Sequence, residues 1–172
     1  MRLGPALVVC CLLLAGCAGS PVDDVDTTTE SEPCTTDTLL TDAGTDELTP
    51  RPVPERPATL SRESVRAYAE SYERAFTHNH ELGRDVRAIS VEILSNRVEQ
   101  VRDGFSVRLS VHVTTRASAA ETPTVVAHSD VRYDAHYFVS EHVLRRTETP
   151  GDSPPPSDPS LRTSSLTLAC WP

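Results

Sequence analysis

The chain has no lysine. All 16 of its basic side chains are arginine, set against 25 acidic ones in 172 residues, for a net charge of −9. An acidic chain without a basic stripe cannot displace the counterions of a phosphate backbone, which excludes nucleic acid as a partner class. An anionic lipid surface would repel it for the same reason. Methionine is nearly absent too, Met1 being the single one. Without a methionine for the axial position or a clustered Cys/His ligand set, a blue-copper centre of the usual form is excluded. No Cys-x-x-Cys pair occurs, so dithiol exchange and zinc-ribbon readings fail. The same holds for GxSxG, HExxH, phosphate-loop and GxGxxG patterns and for an N-x-[ST] sequon.

Long hydrophobic runs are missing with one exception. Leu3 to Gly16 carries no charge and ends in small residues, but it is shorter than the roughly 18 to 20 apolar residues that cross a bilayer. After a positive start at Arg2 it reads as a signal peptide over residues 1–16. Leu14-Ala15-Gly16-Cys17 then has the pattern of a lipobox, in which the cysteine thiol is lipidated and becomes the mature N-terminus. The alternative is an ordinary signal peptide that happens to contain cysteines. Lipidation at Cys17 implies a membrane partner reached through the anchor and a site of action on the extracytoplasmic face. Each buried lipid methylene contributes about 0.8 kcal/mol to such an anchor.

Residues 17–59 are rich in Thr, Asp, Glu and Pro and too poor in apolar residues to build a core, so they read as a tether. Self-repulsion extends the acidic part, and "TPRPVPERP" stiffens toward polyproline II. Residues 60–172 form the folded domain. Val65, Tyr68, Ala69, Tyr72, Ala75 and Phe76 fall at helical spacing, predicting a helix over 62–82. Ser61 is its N-cap, Leu60 and Val65 its hydrophobic staple, and Gly83 its stop.

Strands follow. Ile89, Val91 and Ile93 alternate with polar residues, but Leu94 shifts the phase, which predicts a bulge near 94–97. Asp103-Gly104 signals a hairpin. Phe105, Val107, Leu109, Val111 and Val113 then alternate without interruption. After "RASAAETP", read as a connection, Val125, Ala127, Val131, Tyr133, Ala135, Tyr137 and Val139 share the inward parity. A turn at 140–142, a short strand in "VLRRTE", a proline-rich loop "TPGDSPPPSDPS" and a last strand with Leu166, Leu168 and Cys170 in phase complete the chain. The order predicts an α+β fold: one amphipathic helix on a curved antiparallel meander, one sheet face buried and the other wet.

Of five cysteines, Cys10 and Cys11 leave with the signal and Cys17 takes the lipid. Cys34 and Cys170 remain, an even pair that favours a disulfide in an exported protein, with two free thiols as the alternative. His112, His128 and His136 lie on the outward parity with Asp130 and Asp134, a grouping that could hold a transition metal but that any wet sheet face also displays. His78 and His80 are two apart on the helix and face away from each other. No metal, cofactor or catalytic group is assigned from the sequence.

Lysine-free acidity has two sources: molar salt, which cuts the Debye length to about 3 Å, or a GC-rich genome. The composition resembles that of exported proteins of salt-loving archaea. The helix-and-meander order resembles cystatin-like or NTF2-like folds. Lipobox, acidic stalk, a "SxESVxxYxxxYExAF"-type helix, "RRTE" and a terminal "C-W" together resemble small haloarchaeal lipoproteins of unknown function. That resemblance implies no activity. Lipid anchor, tether and small domain taken together are read as a non-enzymatic binding or interaction module at the cell surface. The NTF2-like likeness adds an alternative, a small hydrolase or isomerase using Tyr133, Tyr137 or Asp134 at the open end of the cone. A structural surface component is a third reading.

Overall fold

The computed structural model describes residues 34–37, 48–119 and 122–172, with the side chains of 119 and 122–126 left aside. The segment expected to be a signal peptide, Cys17, and residues 18–33 and 38–47 of the expected tether lie outside the described residues. Among those described, helix α1 (Arg62–His80) precedes strands β1 (Val86–Val101), β2 (Gly104–Ala119), β3 (Thr122–Val139), β4 (Val143–Pro150) and β5 (Leu166–Cys170). The strands form one antiparallel sheet in chain order, β1-β2-β3-β4-β5. This is the helix-on-meander arrangement that the apolar periodicity dictates. None of the described helices is long and apolar enough to cross a membrane.

Helix α1 begins as its sequence requires. The Ser61 side chain accepts the Ser64 N–H while the Ser64 hydroxyl accepts the Ser61 N–H at 2.9 Å, a reciprocal capping box. The helix ends earlier than Gly83. Glu81 caps it in a right-handed conformation, its N–H reaching the Thr77 carbonyl, so no left-handed glycine is needed. Gly83 instead opens the turn into β1, its carbonyl accepting the Val86 N–H.

Val65, Tyr68, Ala69 and Tyr72 pack on the inward row of β2, Phe105, Val107, Leu109, Val111 and Val113, all buried. In β1 the inward positions are Val91 and Ile93, then Val98. The register slips by one residue between Ile93 and Ser95, leaving Leu94 as the bulge that the phase shift calls for. The first hairpin turns on Arg102-Asp103, with Gly104 already paired to Val101. Gly104 serves a close approach: a Cβ there would sit 2.3 Å from the Val139 carbonyl oxygen. The segment read as a connection at 116–123 is largely strand, because β2 runs to Ala119 and β3 starts at Thr122.

The sheet face away from the helix is not uniformly wet. The segment 151–165 folds across it. Leu161 is buried with Phe138 and Val143, the Ser160 carbonyl accepts from Arg145 at 3.1 Å, and that of Ser153 from Arg108 at 3.4 Å. Asp134 and His136, of outward parity, are thereby buried.

Tether residues also join the packed unit. Asn79 exchanges two hydrogen bonds with the Arg51 backbone, at 2.7 and 2.9 Å. His78 Nε2 lies 3.1 Å from the Thr49 carbonyl, and the Arg56 guanidinium sits 5.0 Å from the Trp171 ring centre. The sulfurs of Cys34 and Cys170 are 2.05 Å apart, at disulfide distance, and Asp37 bonds the Thr167 backbone through both its N–H and its carboxylate.

Lengths decide what the helix covers. At 1.5 Å per residue α1 is about 28 Å long, whereas β2 and β3, at roughly 3.3 Å per residue, reach about 50–60 Å. One end of the β2–β3 ribbon therefore stands clear of the helix, and its inward-parity Val131 is 49% exposed.

Candidate functional site

Where the helix stops short, a cavity of about 540 Å³ opens between its last turn and the sheet face on which it packs. Phe76, Val113, Val131 and Leu166 supply apolar walls; Thr77, Tyr133, Thr115 and Ser129 supply hydroxyls; Arg146, Glu148, Glu81 and His80 supply ionisable groups. This volume falls in the ordinary range for small-molecule sites, about 300–1,000 Å³.

Behind the cavity lies a charged residue on the apolar stripe of the helix. Glu73 is fully buried, four residues after Ala69 and four before Thr77. Arg146, at the inward parity of β4, grips it in bidentate fashion: Nε donates to Oε2 and Nη2 to Oε1, both at 2.9 Å. Tyr137 donates to Oε2 at 2.5 Å and Tyr133 to Oε1 at 2.6 Å. Those donors occupy the acceptor sites that a carboxylate offers. The Thr77 hydroxyl donates to Oε1 at 2.9 Å and lies 2.8 Å from the Tyr133 oxygen. Phe76 stacks on the outer face of the Arg146 guanidinium, 4.2 Å from ring centre to Cζ. Arg146 Nη1 reaches Glu148 at 3.1 Å.

Burial alone would raise the Glu73 pKa, but the hydrogen bonds and charge of Arg146, with the two tyrosine hydroxyls, outweigh it and hold the carboxyl below its usual value. Burial, then the Glu73 charge, pushes both Tyr133 and Tyr137 upward. For Arg146 burial opposes the charge, and Glu73 reverses that, raising it well above normal. The cluster is therefore an anion, a cation and two neutral phenols at any ordinary pH. Its carboxylate is engaged on both oxygens and takes a proton only below the ordinary carboxylate range.

Tyr133 and Tyr137 thus share one acceptor, and only Tyr133 reaches the cavity wall. Asp134 is on the opposite face, where Arg108 donates to it at 2.6 Å and Ser110 at 2.7 Å. Burial works against its ionisation, but Arg108 and Ser110 prevail and lower its pKa. The strand register separates the outward histidines: His112 faces Arg132, and His128 and His136 pair with Arg116 and Arg108. Each lies four positions along β3 from Arg132, about 13 Å away. His112 pairs with Asp130 at 2.9 Å, and His136 Nε2 lies 2.9 Å from the Thr149 hydroxyl. Among the described residues no group of three or more His, Cys, Asp or Glu side chains is arranged to hold a metal ion.

Sequence reasoning missed Glu73 and Arg146. The available signal was positional. Val65, Ala69, Glu73 and Thr77 form an i,i+4 row along the buried stripe, and a glutamate there demands a buried partner.

No family model, curated protein or solved structure matches this chain.

Proposed function

We propose that the chain is a binding module held outside the membrane by a lipid on Cys17, and that the cavity beside Phe76 and Tyr133 is its ligand site. The observation that carries this reading is the pairing of an open, partly apolar cavity with a rigid, fully bonded floor. Glu73, Arg146, Tyr133 and Thr77 fix one wall in place, so a ligand meets a surface already organised to receive it. Binding is favoured over the hydrolase or isomerase alternative because its three candidates are engaged elsewhere: Tyr133 and Tyr137 donate to Glu73, and Asp134 is bonded to Arg108 on the other sheet face. A helix lying on a concave meander, with the cavity at the open end, supports the cystatin-like or NTF2-like assignment. Acidity without lysine supports a high-salt setting.

The test is an amide-resonance screen of the full-length chain with small fragments, at a salt concentration that keeps it folded. Fragments should shift Val113, Thr115, Ser129, Val131 and Tyr133 together, and a cavity-filling Ser129→Trp variant should abolish the response. Fragment shifts scattered elsewhere, or unchanged in that variant, would sink the reading. Cys17→Ser should move the protein from the membrane fraction to the soluble one.

A further inference from the structure

The same mismatch in length that opens the cavity leaves a strand edge uncovered. β3 runs from Thr122 to Val139, but β4 pairs with it only from Tyr133 to Val139. At Pro150, opposite Tyr133, the chain leaves the sheet, and Gly151 passes beside the Arg132 carbonyl on its way to the other face. Among the described residues, β3 beyond that point has a strand partner on its β2 side alone. Among the described residues, no backbone hydrogen bond from a loop or turn reaches 122–132. Pro123 has no N–H to offer, so the usable edge lies between it and Arg132.

The other long edge is defended. β1 carries irregularities at Arg87 and at Leu94, exposed charges at Arg97 and Glu99, and a hydrogen bond of 2.8 Å from Arg62 to its Val98 carbonyl. These are the devices by which proteins blunt an edge. From Ala127 to Arg132, β3 is exposed, unbulged on its β2 side and free of proline. Its inward-parity residues there, Ser129 and Val131, line the cavity.

We propose that this edge of β3 accepts an extended segment of a partner protein as an added strand, and that the cavity beside it takes one basic side chain from that segment. The inference rests on the cavity being a binding site and names its occupant. An added strand draws affinity from main-chain hydrogen bonds and specificity from pockets for alternate side chains. Edge and pocket lie side by side here. The choice of a basic residue follows from charge. Arg146 is matched by Glu73, which leaves Glu148, 61% exposed in its side chain, and Glu81 as the excess charge at the cavity. Phe76, Val113, Val131 and Leu166 suit the methylene stem of a lysine or arginine, whose cationic head then reaches the two carboxylates.

Fluorescence anisotropy with the full-length chain tests this. The probe is a labelled heptapeptide, acetyl-Thr-Val-Thr-Lys-Thr-Val-Thr-amide, compared with the same peptide carrying Glu at its centre and with one N-methylated on alternate amides. The lysine peptide should bind about threefold to fivefold more tightly than the glutamate one, the size of a partly screened ion pair. N-methylation along the pairing edge should abolish binding, and the double variant E81Q/E148Q should erase the lysine preference. Indifference to N-methylation, equal binding of both peptides, or no peptide binding at all overturns the proposal. If small fragments still shift Val113 and Val131 in that last case, the cavity reading survives and only the strand partner falls. If neither binds, both fall.

Discussion

Arg146 holds Glu73 by two hydrogen bonds of 2.9 Å across 73 residues of sequence, with both side chains buried. A buried ion pair repays its desolvation only when geometry is good and the remaining hydrogen-bonding capacity is filled. Both conditions are met, with Tyr133, Tyr137 and Glu148 completing the set.

Removing one partner strands the other. Arg146→Met should lower unfolding stability by about 3–5 kcal/mol, measured by denaturant titration. The double variant E73L/R146M should recover much of that loss, because no unpaired charge stays buried. A double variant as unstable as the single one would show that the pair is not the source of the cost.

Acid should weaken the fold in two stages. Burial lowers the pKa of His78, with the Thr49 carbonyl opposing, and that of His136, where Arg108 adds to the effect. A histidine held neutral in the fold stabilises it above the unfolded value near 6.5, and that contribution is lost as pH falls toward the folded value. Glu73 and Asp134, both depressed, contribute above the ordinary carboxylate pKa and lose it as pH falls through their lowered values. Stability measured against pH should therefore decline below about pH 6.5 and again below about pH 4. In His136→Gln the first decline should shrink while the second persists.

The Cys34–Cys170 bridge closes a loop with a sequence separation of 136. On the chain-entropy account it should contribute about 4–5 kcal/mol, before any enthalpic offset. Alkylation without reductant should leave both cysteines unlabelled in the intact mass. The double variant C34S/C170S should melt at a clearly lower temperature.

Gly104 faces the Val139 carbonyl, which a Cβ would approach to 2.3 Å. Gly104→Ala should cost roughly 1–3 kcal/mol, as overpacking does. Gly151→Ala, where a Cβ would meet nothing nearer than 3.8 Å, is the control and should cost much less.

Local pattern carries a long way in this chain. Alternation at Phe105–Val113, the phase shift at Leu94, the Ser61 cap and the inward parity of Tyr133 and Tyr137 are all legible in sequence, since each is a periodicity of two or 3.6 written in neighbouring residues. The tyrosine hydroxyls each need a partner, and that much follows from burial alone. Which partner they find does not.

Neighbouring residues are enough to set the element order, the sheet face that meets the helix, the charge of the surface and the pair Cys34 and Cys170. Tertiary structure alone decided the rest. It sets Glu73 against Arg146, folds the loop at 151–165 over Asp134 and His136, and ends the β4 pairing of β3 at Tyr133. The physical reason is one of range. Periodicity reports which face of an element is apolar, whereas the match between a helix about 28 Å long and strands about 50–60 Å long emerges only when the elements are laid together. The cavity and the open edge both come from that difference.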